Sequence, residues 1–149
     1  MINIYHVNCI VLIVIAAWIA ITDFKYKIIP NTANLILLVY GLIISYPDLV
    51  TPIKGIATGL ILMLLVSLLG PIGGGDIKLM TVLGAWFGLQ IIDVFLLSYI
   101  VGLGFAIVYY VKYRDFKHEV PFGPSIMLAT LTVYMTDVSL IYRHIELLL

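Results

Sequence analysis

IYHVNCIVLIVIAAWIAITDFKYKIIPN, residues 4–31, opens with an apolar run from 4 to 21 and meets its first charge at Asp23. A bilayer-spanning helix takes about 20 predominantly apolar residues, so the run reads as a transmembrane helix. The first 24 residues contain no Lys or Arg. That disfavours a cleaved signal peptide, which carries a basic start, and predicts a span that is retained. Pro30 cannot continue a helix begun before it and disfavours helical geometry at Ile29. The stretch from Asp23 to Asn31 is therefore read as a short turn joining two antiparallel spans.

Five more apolar stretches follow, at 33–46, 53–69, 79–89, 94–111 and 126–135. The fold predicted is an all-α polytopic membrane protein of about six transmembrane helices, with residues 1–149 forming one integral membrane domain. The second, fourth and sixth stretches are shorter than about 17 residues, so they must borrow polar flanks, sit in thinned bilayer or be partly re-entrant. Composition agrees, because 63% of the 149 residues are hydrophobic and 11% charged, too few charges to cover a water-facing surface. Eight basic residues balance eight acidic ones. Nucleic-acid binding is thereby excluded from the expected functions. Cys9 is the single cysteine and lies in an apolar run, and His6, His118 and His144 fall on different sides, so neither a metal nor another cofactor is expected.

Lys and Arg collect on cytoplasmic loops. Lys25, Lys27, Lys78, Lys112, Arg114 and Lys117, six of the eight, fall on one side, and only Lys54 and Arg143 on the other. The termini are thus predicted outside the cytoplasm, in an inner (cytoplasmic) membrane. Tyr5, Tyr26, Tyr46, Tyr113 and Tyr142 lie near span ends, where a ring with a polar tip suits the interface. Gly55 with Gly59, and Gly84 with Gly88, are spaced for close helix packing.

In that topology Asp23, Asp76 and Asp115 are cytoplasmic, while Asp48, Asp93 and Asp137 face the other way. Asp115 sits in a hydrophilic loop with His118 and Glu119, where a solvated role suffices. Asp23 and Asp76 abut apolar helices, and an ionisable residue there is a functional candidate. Asp76 follows Gly73, Gly74 and Gly75, read as a flexible loop lining a cavity. Two close carboxylates do not both ionise cheaply, so one holds a proton while the other stays charged. That division suits hydrolysis of an amide, with a base activating water and an acid protonating the carbonyl or leaving amine. The plainer alternatives are an ion pair of Asp23 with Lys25 or Lys27, a helix cap at Asp76 and a glycine linker.

With these residues in place, the chain resembles the type IV prepilin peptidases, the small GxGD intramembrane aspartyl proteases. The resemblance rests on Asp23 with Ile29, Pro30 and Asn31, on Gly73 to Lys78, and on Pro121, Phe122, Gly123 and Pro124 opening the last span. It implies an aspartic endopeptidase that removes a short basic leader from pilin-like precursors at the cytoplasmic face, just before the precursor's hydrophobic helix. It further implies Asp23 and Asp76 as the catalytic pair, with Gly73, Gly74, Gly75, Lys78, Pro30, Asn31, Pro121, Phe122, Gly123 and Pro124 lining or bordering the site. Longer members carry an N-terminal domain with paired cysteines and also methylate the new N-terminus. Here the first span starts almost at Met1 and Cys9 is alone, so N-methyltransferase activity is not expected. The rival reading is a small six-span transporter or proton-coupled component relaying protons through the same aspartates, and a weaker one is a non-catalytic assembly subunit. No internal repeat supports the transporter.

Overall fold

The fold comes from a computed structural model that describes residues 4–114 and 120–136. Asp115, Lys117, His118, Glu119, Asp137, Tyr142, Arg143, His144 and the side chain of Tyr113 lie outside the described residues. Among the described residues the chain is all α, with helices α1 (Ile4–Tyr26), α2 (Asn31–Ser45), α3 (Val50–Ser67), α4 (Gly74–Phe87), α5 (Ile91–Tyr113) and α6 (Gly123–Thr136). A 3₁₀ turn, Gly88–Gln90, joins α4 to α5.

Among the described residues, three stretches are long and apolar enough to cross a bilayer: Ile4–Tyr26, Val50–Ser67 and Gly74–Lys112. The shorter Asn31–Ser45 is apolar as well. Large apolar side chains such as Ile10, Val14, Ile61, Leu65, Leu103 and Ile107 point outward. In water each would lose roughly 1.5–3 kcal/mol of burial free energy, whereas lipid tails solvate them. The chain is an all-α membrane protein.

Helix boundaries depart from the apolar runs in an instructive way. The fourth run begins at residue 79, yet α4 begins at Gly74, because the Gly73 carbonyl already accepts hydrogen bonds from the Asp76 and Ile77 N–H groups at 3.0 and 3.2 Å. The three glycines are therefore not a loop: Gly73 is the extended cap and the other two form the first turn. Asp23 likewise lies inside α1, whose helix continues to Tyr26.

The glycine pairs do what their spacing suggests. A Cβ on Gly55 would collide with the Gly84 carbonyl oxygen, and one on Gly84 with that of Gly55. The backbones of α3 and α4 touch there, with no room for a methyl group. Gly88 has φ +54°, a conformation disfavoured for residues with a Cβ, and turns the chain between α4 and α5. Replacing Gly84 by Ala is expected to destabilise the protein by about 3 kcal/mol or more, since the backbone rather than a flexible side chain must give way. A lowered unfolding midpoint in detergent would register it, and an unchanged midpoint would contradict the packing.

Packing divides the helices into two groups. In the first, α4 packs on α3 and α2; in the second, α6 packs on α5 and α1. Far from the aspartates the groups are tied by Asn8 Oδ1, which accepts from the Tyr40 hydroxyl at 2.9 Å, and by an edge contact of the Trp86 and Tyr134 rings. Asp23 belongs to the second group and Asp76 to the first. The candidate site thus lies on the seam between them.

Candidate active site

Asp23 occupies the last turn of α1, its carbonyl accepting from the Lys27 N–H at 2.9 Å. Lys27 then adopts φ +53°, a left-handed conformation that ends the helix and is uncommon for a residue with a side chain. The chain runs extended through Pro30 into α2. Along it, Ile29 is buried against Gly75 of α4 and Gly123 of α6, where added Cβ atoms would lie 3.2 and 3.3 Å from its side chain. One side chain thus stands against both edges of the seam.

Asp23 is 6% exposed, and its Oδ2 accepts a 2.9 Å hydrogen bond from the Gly123 N–H. It also lies in the field of the Lys27 ammonium. The fourth motif residue, Pro124, lies in the first turn of α6 and is buried. The reason for Pro-Phe-Gly-Pro is now physical: the start of α6 delivers a backbone N–H to a carboxylate, and only glycine leaves space for that approach.

Asp76 lies in the first turn of α4, at the positive end of the helix dipole. Its Oδ2 folds back over the helix start, where a Cβ on Gly73 would come within 2.8 Å of it. The carboxylate faces a cavity of about 620 Å³ lined by Lys27, Pro71, Ile72, Gly73, Asp76, Tyr99, Val120, Pro121 and Phe122. Asp23 does not line this cavity, but it is near enough for the two charges to act on each other.

A sequence profile of the type IV leader peptidase family matches residues 10–107, which include both aspartates. The chain belongs to the type IV leader peptidase family. Among curated members similar to it, a prepilin leader peptidase/N-methyltransferase of Xanthomonas campestris pv. campestris is 34% identical over 125 residues, covering 75% of this chain and 44% of that protein. The protein of the same name from Bacillus subtilis is 27% identical over 142 residues, covering 88% and 56%. The chain spans about half the length of these leader peptidases. No solved structure matches it.

Within this leader peptidase fold, the residues singled out from the sequence divide into two sets. Gly73, Asp76, Pro121 and Phe122 line the cavity, while Asp23 and Gly123 do not line it but are bonded to each other beside the lining residue Phe122. Lys78 and Asn31 do not line it: the ammonium donates to Asn31 Oδ1 at 3.3 Å, bridging α4 and α2 at the exposed edge. Gly74 is exposed, off the cavity, with nothing within 4 Å of an added Cβ, and Pro30 acts as the cap of α2. Tyr99 is a site residue the sequence does not suggest; Lys27 enters there only as a possible ion-pair partner of Asp23, and Ile29 only as a motif neighbour of Pro30. The signals for their placement are faint: a tyrosine within an apolar run, one lysine among several, and an isoleucine beside a proline.

Proposed function

We propose that the chain is an intramembrane aspartic endopeptidase that cleaves the short basic leader of type IV pilin-like precursors at the cytoplasmic face of the inner membrane. The observation that carries this is Asp76 on a cavity wall with buried Asp23 close enough for the two charges to act on each other, in a family of leader peptidases. One carboxylate takes a proton from water as the water oxygen bonds to the peptide carbonyl carbon. The other carboxyl protonates the carbonyl oxygen. Collapse of the tetrahedral intermediate breaks the C–N bond and a proton passes to the leaving amine. Residues 1–149 form one peptidase unit in this proposal, with termini outside the cytoplasm, as the side-sorting of Lys and Arg supports.

The test is purified protein in detergent with a pilin-like precursor bearing a basic leader. A product shortened by the leader is expected; an uncut precursor, with proton flux in liposomes, would support the transporter instead. The mass of the product is expected to show a free, unmethylated N-terminus even with a methyl donor present, because the proposal assigns residues 1–149 cleavage alone. A product heavier by one methyl group would overturn that part.

A further inference from the structure

Among the described residues the cavity wall carries three polar side chains, Lys27, Asp76 and Tyr99, set among proline, glycine and apolar residues. Asp76 is used in the cleavage proposed above, and Lys27 bears on the charge of Asp23. Tyr99 has no role in it. Its ring is held between Phe95 and Phe122, with centroids 4.9 and 5.0 Å away and both tilted by 54°. Phe122 is itself seated on α5, where a Cβ on Gly102 would come within 2.6 Å of its ring. Tyr99 is therefore clamped by its own helix and by the segment that leads into α6. It lies within electrostatic reach of Asp76, and among the described residues its hydroxyl has no hydrogen-bond partner.

A rigid neutral donor beside an acid–base pair is suited to an oxygen that gains negative charge. Hydrogen-bond donors fixed before the reaction stabilise such an oxygen without the cost of reorganising. A phenol does this at membrane depth without introducing another charge.

We propose that the Tyr99 hydroxyl donates a hydrogen bond to the carbonyl oxygen of the peptide bond being cleaved. As the water oxygen bonds to the carbonyl carbon, the C=O pair moves onto that oxygen. The acid aspartate protonates it while Tyr99 keeps its own proton and shares it as a hydrogen bond. The role rests on the Asp23 and Asp76 reading and adds a third group to it.

Tyr99→Phe, which keeps the clamped ring, tests it in steady-state cleavage of a pilin-like precursor by the full chain. The expected result is a fall in kcat of between about 10- and 100-fold with KM unchanged, the modest side of an oxyanion-donor loss because the acid aspartate still reaches the same oxygen. The pH profile keeps its shape and drops in height. Wild-type kcat, or a change confined to KM, would overturn the assignment. So would a shifted limb of the pH profile, which marks a residue that positions Asp76 without touching substrate. Asp23→Asn and Asp76→Asn are assayed in parallel, and full activity there sinks the dyad whatever Tyr99→Phe does. An unchanged unfolding midpoint for Tyr99→Phe shows that the loss is chemical.

Discussion

Asp76→Asn is expected to lower the rate of leader cleavage by at least about 10³-fold, and Asp23→Asn by a similar factor. The carboxamide has nearly the same shape, so the cavity wall survives. It cannot take the proton of an attacking water or deliver one to the carbonyl oxygen, and the loss corresponds to about 4 kcal/mol of transition-state stabilisation. Because the two groups act as a unit, the double variant is expected to be little slower than either single one. Wild type is expected to give a bell-shaped profile of kcat against pH, since the reaction needs one carboxyl ionised and the other protonated. Each variant is checked for an unaltered unfolding midpoint in detergent. Retention of more than a tenth of the wild-type rate by either variant would remove that aspartate from the chemistry.

The sequence was informative where its signal is local. Apolar runs separated by Lys and Pro located the helices, and the four-residue glycine spacings located the contact of α3 with α4. The first turn of α4 escaped notice because hydropathy records the side chain, and helix hydrogen bonding by Gly73 to Ile77 is a backbone matter. Asp48 shows a similar limit. The sequence places it only on the far side, but its Oδ1 accepts from the Val50 and Thr51 N–H groups at 2.9 and 3.3 Å at the start of α3. With the Thr51 side chain foremost, these bonds hold its carboxyl below the usual carboxylate range. Asp93, assigned to the far side, is wholly buried and engaged in the first turn of α5. Tyr99 could not be found locally, since its meeting with Asp76 depends on α5 folding back past α4 at Gly88.

Gly123 tests whether the geometry behind the cavity matters as much as the carboxylates. A Cβ there would lie 2.8 Å from Asp23 Oδ2, 3.2 Å from its Cγ and 3.3 Å from Ile29 Cδ1. Gly123→Ala must therefore push Asp23 away from the N–H that holds it. A charge-assisted hydrogen bond of this kind contributes about 1.5–3 kcal/mol, and a catalytic group displaced by about 1 Å can lose 10²-fold in rate. Cleavage is expected to fall by at least about 10²-fold in kcat, while the helices remain folded. Gly74→Ala supplies the contrast within the glycine motif, because its added methyl group meets nothing within 4 Å and it lies off the cavity. In a helical turn that exchange favours the helix by up to about 1 kcal/mol, so activity is expected to persist with equal or higher thermal stability. If both variants lost activity together, glycine flexibility would be the requirement. Loss in Gly123→Ala alone locates it in the space beside Asp23.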